Sequence, residues 1–238
     1  MFATIAAILL NQTAVAGSYQ EIQQLICERK ADDARTLALA KAKAGDAEGF
    51  IALGWFEEIG SFAQADATRA FAYYSAAANL GSAHAQWKVG VMLDTGLGVK
   101  QDSKTAVGWF KKSARQKLGA AWSSLGLMQL QGRGIPKDVA AARKSYRNAI
   151  RYGEPHGFAG IGAIIATGVD DMSAEYLSAI AWYQVAAEKG SDVAKEKLQR
   201  LPAMNANQWE KINKQAEEIA RQNPITVIPF NRPCRAMD

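Results

Sequence analysis

The sequence predicts an all-α solenoid, a stack of helical hairpins, and three spacings carry that expectation. Leu53-Gly54, Val89-Gly90, Leu125-Gly126 and Ile161-Gly162 recur at an unvarying interval of 36 residues. Another glycine stands six residues after each pair: Gly60, Gly96, Gly132 and Gly168. Six residues further on come Asp66, Asp102 and Asp138. Self-similarity at a period of about 20 to 50 residues means stacked supersecondary units that bury themselves against one another. Such stacks build extended binding surfaces far more often than catalytic pockets.

Taken in order, Met1 to Ala16 is uncharged and apolar from Phe2 to Leu10, and it ends in Ala14-Val15-Ala16 ahead of Gly17. That pattern reads as a secretory signal with an A-x-A cleavage site, although no Lys or Arg precedes the apolar run; a retained N-terminal capping helix is the alternative. The run is shorter than the ~20 apolar residues needed to span a bilayer, so no transmembrane segment is expected in the mature chain. Ser18-Tyr19-Gln20-Glu21 has the form of a capping box, which opens a capping helix over 18–30, and a second follows over 32–44. Repeat units are placed at 46–81, 82–117, 118–153 and 154–190, within one repeat domain over 17–222. A terminal capping helix is placed over 205–222, where Trp209, Ile212, Ala216, Ile219 and Ala220 fall at helical spacing. The remaining 223–238 forms a Pro-containing tail.

Within each unit, Gly60, Gly96, Gly132 and Gly168 are expected to close the first helix in the left-handed conformation that glycine tolerates. Asp66, Asp102 and Asp138 are expected to open the second helix as N-caps. The fourth unit has one extra loop residue and puts Glu175 at that position. The second helices carry large pairs at Tyr73-Tyr74, Trp109-Phe110, Ser145-Tyr146 and Trp182-Tyr183, followed by small residues such as Ala77-Ala78 and Ala186-Ala187. Bulky side chains set against small ones let helices interlock closely. Gly45, Gly81, Gly153 and Gly190 end these helices, and Lys117 takes that place once. The mid-helix glycines of the marked pairs each cost about 1 kcal/mol relative to alanine, which is expected to be offset by close approach of a neighbouring helix.

This combination, A-x-x-x-L-G, then G-x-G and D, then a W-Y-like pair and A-A, resembles the Sel1-like repeat family. The match is clearest at Ala85 to Gly90, Gly96-Leu97-Gly98-Val99 and Asp102, and at Ala121 to Gly126, Gly132-Arg133-Gly134-Ile135 and Asp138. It covers Arg35 to Leu201. The resemblance implies a right-handed α-α superhelix of helix-turn-helix repeats. Departures are Glu57, Leu93, Gln129 and Ile165 where the family has Tyr, and Phe62 where the first loop would carry its second glycine. Tetratricopeptide arrays are the near neighbour, with a shorter period of about 34 and shorter loops.

Nothing in the residues points to catalysis, a cofactor or a metal. The G-x-G elements follow helices and lack the third glycine of a dinucleotide loop. G-x-S-x-G, H-E-x-x-H and paired-cysteine spacings are absent, as is serine followed by Lys at the third position. His84 and His156 occupy one repeat position two units apart and are expected to be neutral, exposed or packed, and not to share a metal. Glu57-Glu58 and Asp170-Asp171 are read as loop or helix-edge carboxylates. Cys27 and Cys234 are either bridged by a returning tail or two separate thiols.

Charge is the sharper signal. The 238-residue chain is 49% hydrophobic, 21% charged and carries a net +5. Lys100 to Arg151 alone holds twelve Lys or Arg against Asp102 and Asp138, so the rest of the chain is net negative. Lys111 and Arg147 are repeat equivalents, as are Arg115 and Arg151, so that Lys111 and Arg115 lie one helical turn apart on one helix and Arg147 and Arg151 on another. Two neighbouring second helices would align these four into a ridge facing an acidic protein or an anionic membrane surface; a plainly solvated face is the competing reading. Nucleic acid is not expected, since no recognition motif is present. Phe50, Trp122 and Phe158 share one repeat position and could line a concave groove, or serve the core.

The expected function is a non-catalytic interaction scaffold, adaptor or regulator, periplasmic or secreted, and the resemblance to Sel1-like proteins implies a role at the bacterial cell envelope. The rivals are a cell-wall or beta-lactam-directed hydrolase or binding protein, and a cytoplasmic scaffold if residues 1–16 are retained.

Overall fold

In the computed structural model, residues 21–167 and 173–225 are described, and all their regular structure is helical. The fold is an all-α helical repeat. A helical stretch at 21–27, α1, precedes α2 (Ala31–Lys43), α3 (Ala47–Ile59), α4 (Ala67–Asn79), α5 (Ala83–Thr95), α6 (Ser103–Arg115), α7 (Gly119–Gln131) and α8 (Val139–Arg151). Then come α9 (His156–Ala166), α10 (Ala174–Glu188), α11 (Asp192–Gln199) and α12 (Ala206–Gln222). The described helices fall into two compact units, α1 to α5 in one and α6 to α12 in the other, divided between Asp102 and Ser103.

The caps follow from local chemistry. Gly60, Gly96 and Gly132 close α3, α5 and α7 at φ of 70°, 75° and 74°. Asp66 accepts from the Arg69 amide and Asp138 from the Ala141 amide, so each satisfies a donor that its helix leaves unpaired. The same main-chain bond then closes each intervening loop: the amides of Asp66, Asp102 and Asp138 donate to the carbonyls of Glu57, Leu93 and Gln129 at 2.9, 2.8 and 2.9 Å. In the fourth unit the cap is Ser173, accepting from the Tyr176 amide at 3.1 Å, and not Glu175, which sits in the first turn of α10. A hydroxyl two residues earlier reaches the free amide, while a Glu inside the helix does not. Gly168, Asp170 and Asp171 lie outside the described residues, as do residues 1–20 and 226–238, and with them the expected signal, the expected Ser18 capping box and Cys234.

Packing in the α1 to α5 unit begins where Ile22, Ala34, Ala38, Ala42, Ala52, Leu53 and Phe56 form one core cluster. The second member of each large pair turns inward: Tyr74, Phe110, Tyr146 and Tyr183 are all buried. A Cβ on Gly54 would come within 2.8 Å of the Tyr74 ring, and one on Gly126 within 3.0 Å of the Tyr146 ring. The mid-helix glycines at these two positions are therefore seats for the aromatic ring of the next helix. In the α6 to α12 unit, α10 and α12 enclose Ile180, Val185, Ile212 and Ile219. A capping box opens α12, where Asn205 accepts from the Gln208 amide and Gln208 accepts from the Asn205 amide. Helix α11, capped by Ser191, was not expected from the sequence.

Loop glycines have a second use. The residue after Leu97, Gly98, lies against the Ala67 carbonyl at the start of α4, and Gly134 lies against the Ser103 carbonyl at the start of α6. No side chain fits at either place. In the first loop Phe62 occupies this position and instead meets α2 through its ring, with the Arg35 guanidinium 4.9 Å from the ring centroid and Phe56 edge-on at 5.1 Å.

Candidate functional site

Helices α6 and α8 are each 13 residues long and both pack against α7. Their apolar stripes turn in: Ala106, Val107, Phe110 and Ala114 on α6, and Ala142, Tyr146, Ala149 and Ile150 on α8. The contact of Gly134 with Ser103 sets the α7–α8 loop on the first residue of α6, five residues before α8 begins. Lys111 and Arg147 are each the ninth residue of their helix, and Arg115 and Arg151 each the thirteenth. All four are exposed.

What distinguishes this face is missing counter-charge. Between residues 103 and 151 there are eleven Lys and Arg, every one exposed, and a single acidic residue, Asp138, whose carboxylate caps α8. Among the described residues none of Lys111, Arg115, Arg147 and Arg151 is in an ion pair. Cations elsewhere do find partners: Lys41 with Glu21, Arg69 with Glu57, Lys88 with Glu58, Lys195 with Asp192, Arg200 with Glu196 and Arg221 with Glu218. Like charges one helical turn apart repel by a few tenths of a kcal/mol per pair, so the face is electrostatically improved by any anion that docks on it. Lys112 lies 4.0 Å over the Trp109 ring and adds a positive rim to an aromatic surface.

The aromatic residues sharing one repeat position do not share an environment. Phe158 is fully buried, tilted against Trp182 at 5.9 Å between ring centroids, so it lines no groove. Phe50 is half-buried and packs on the core cluster around Ile22 and Leu53. Trp122 is half-buried, with its indole Nε1 enclosed and without an acceptor among the described residues.

The remaining candidates for chemistry are occupied structurally. Glu57 pairs with Arg69 at 2.7 Å, and Glu58 accepts from the Tyr74 hydroxyl at 2.7 Å and from Lys88 at 2.9 Å. Burial, aided by the Lys88 charge, pushes His84 down to about 3, so it is neutral and packs beside Trp87. The Nδ1 of His156 sits 2.5 Å from the Glu154 carboxylate, which raises its pKa. Cys27 is exposed. Among the described residues no group of His, Cys, Asp and Glu could hold a metal ion. A shallow open depression lies along the loop before α8, lined by Gln129, Ile135, Pro136, Lys137 and Val139. No described helix is long and apolar enough to cross a membrane.

Sequence reading singled out four cations but missed Gly108, which lies in mid-helix on the exposed side of α6 and off the 36-residue register. A Cβ there would meet nothing within 4 Å. Its signal in the sequence was only that it breaks the repeat.

Comparison with known proteins agrees with this architecture. The chain resembles a solved Sel1 repeat protein from Oxalobacter formigenes, with 24% identity, a TM-score of 0.66 and 84% of each chain covered. It also resembles a protective antigen of uropathogenic Escherichia coli strains that displays an SLR fold, with 23% identity and a TM-score of 0.64, over 89% of this chain and 48% of that one. Among curated proteins it is similar to the chitin synthase regulator SKT5 of Saccharomyces cerevisiae, 33% identical over 95 residues, which is 40% of this chain and 13% of that protein's length. The Sel1 repeat itself matches at residues 51–82, 83–118, 123–151 and 160–191. With more than half of its length in these four matches, joined by recurring caps, loop bonds and ring-seating glycines, the chain belongs to the Sel1 repeat family.

Proposed function

We propose that this protein is a non-catalytic adaptor or regulator that holds another protein on the basic face of α6 and α8. Sel1 repeats mediate protein–protein contact. The observation that carries the proposal is the exposed set Lys111, Arg115, Arg147 and Arg151, left without acidic partners among the described residues on two helices that both pack against α7. A long-lived interaction with an acidic surface supplies what the fold withholds. The similarity to a protein named as a regulator fits the same reading. We place the protein at the bacterial cell envelope on the signal-like composition of Met1 to Ala16.

The test is crosslinking of the full chain in its native host, comparing wild type with the Lys111→Glu and Arg147→Glu double variant at low and high salt. A partner crosslinked by wild type at low salt, and lost both in the variant and at high salt, is the expected result. The same partner recovered equally by both proteins removes the basic face as the docking site. Turnover of a chromogenic beta-lactam by the purified protein would overturn the non-catalytic assignment. N-terminal sequencing of the protein from its host checks the envelope placement, which requires a mature start after Ala16.

A further inference from the structure

Gly108 is a helical glycine with no structural work to do. A Cβ on Gly49, Gly54, Gly126, Gly157 or Gly162 would press on a neighbouring helix, which explains why no side chain stands there. A Cβ on Gly108 would enter open space. The residue is exposed and sits at the sixth position of a 13-residue helix, where glycine weakens a helix relative to alanine and no packing offsets the loss. Its surroundings are not random. The exposed face of α6 consists of Lys104, Thr105, Gly108, Lys111, Lys112 and Arg115. Gly108 is therefore the bare centre of a cationic face that runs about 16 Å at 1.5 Å per residue.

Resting on the adaptor reading above, we propose that this face of α6 receives an acidic polypeptide segment whose main chain crosses α6 at Gly108, flanked by carboxylates that pair with Lys104, Lys111 and Arg115. Glycine permits the approach because the partner can then reach the helix backbone itself, as Tyr74 does at Gly54 within the fold. The cations on either side supply charge complementarity to Asp and Glu side chains. Polypeptide is favoured over a lipid surface by composition: a helix that lies in a membrane interface sets a row of large apolar side chains beside its cations, whereas beside the cations of α6 only the half-buried Trp109 stands.

The experiment uses the full chain and fluorescein-labelled poly-L-glutamate as the acidic polypeptide, followed by fluorescence anisotropy at low and high salt. Vesicles of phosphatidylglycerol serve in parallel. Four proteins are compared: wild type, Gly108→Ala, Gly108→Leu, and the Lys111→Glu and Arg147→Glu double variant. Expected is salt-sensitive binding by wild type, at least tenfold weaker in the charge-reversed variant and at least fivefold weaker in Gly108→Leu. Gly108→Ala should melt about 2–4 °C higher than wild type, as relief of an unoffset helical glycine requires. A lower melting temperature for Gly108→Ala would make the glycine structural and overturn the inference. So would wild-type affinity in Gly108→Leu, which leaves the basic face intact as a docking site but removes the close crossing. Unchanged binding in the charge-reversed variant, or no binding of the polypeptide at all, would overturn both readings. Vesicle binding with the same dependence on the variants and tighter than that of the polypeptide would assign the face to lipid and overturn the inference.

Discussion

The hydroxyl of Tyr74 on α4 donates to the carboxylate of Glu58 on α3 at 2.7 Å. Both oxygens of the same carboxylate also accept from Lys88 of α5 at 2.9 Å, so one acidic group ties three successive helices together. Phe110 holds the equivalent place in the next unit and is equally buried, which shows that the ring fits without the hydroxyl. Tyr74→Phe should therefore leave packing intact and lose only the bond to charge, about 1–2 kcal/mol. Urea denaturation checks this: a lower midpoint with an unchanged slope is expected, whereas an unchanged midpoint would mean the bond contributes nothing.

Gly54 seats the Tyr74 ring from the other side. A methyl group placed 2.8 Å from that ring forces it or the helix to move. Gly54→Ala gains about 1 kcal/mol of helix propensity but loses about 1–3 kcal/mol to overpacking. The expected outcome is net destabilisation, read as a fall in melting temperature, and a rise would show that the ring yields freely.

Lys117 follows α6 with φ of 69°, where the equivalent residues Gly45, Gly81, Gly153 and Gly190 all have positive φ as glycine. A side chain in this conformation is disfavoured by about 1–2 kcal/mol, partly balanced by the greater freedom that glycine has in the unfolded chain. Lys117→Gly should stabilise the protein by about 0.5–1 kcal/mol. A loss of stability in thermal melts would contradict this account of the turn.

Two groups in the α1 to α5 unit give opposite pH dependences. Glu48 is pushed up to about 7 by burial and by the Asp46 charge. Its folded form holds a proton that the unfolded chain releases above about 4.5, so its contribution is full below that pH and is lost as pH rises through 7. Glu48→Gln should be more stable than wild type by about 1 kcal/mol at pH 8, with no difference near pH 4.5. His84, held down to about 3, works in reverse: the unfolded chain takes up a proton below about 6.5 and the folded chain does not, so stability falls as pH drops from 6.5 toward 3. His84→Gln should flatten the decline between pH 6.5 and 5 in a series of thermal melts. An identical decline in that variant would place the titration elsewhere.

These residues also show how far the sequence could be read. The caps at Gly60, Gly96, Gly132, Asp66 and Asp138 were legible because capping is decided within a few residues by one carboxylate or one backbone angle. Ser173 was missed because a single inserted residue shifts the register, and the cap is chosen by reach and not by count. Helix α11 was missed because its eight residues, half of them charged, show only Ala194 buried and thus no periodic stripe. Phe50, Trp122 and Phe158 look alike in the repeat, yet Phe158 alone meets a ring from α10, a fact of tertiary packing that spacing does not encode. The cationic residues were visible as a charge excess, whereas the open space over Gly108 required coordinates.

The loop closure between amide and carbonyl at Asp66 and Glu57, Asp102 and Leu93, and Asp138 and Gln129 uses main-chain atoms alone. Shape and lettering are thereby uncoupled at the acceptor position: an acid, an aliphatic residue and an amide stand there with the same bond intact. Each side chain there serves its own surroundings, Leu93 in the core, Glu57 on Arg69 and Gln129 accepting from Ser145, and a turn transplanted from one hairpin to another should close in its new home.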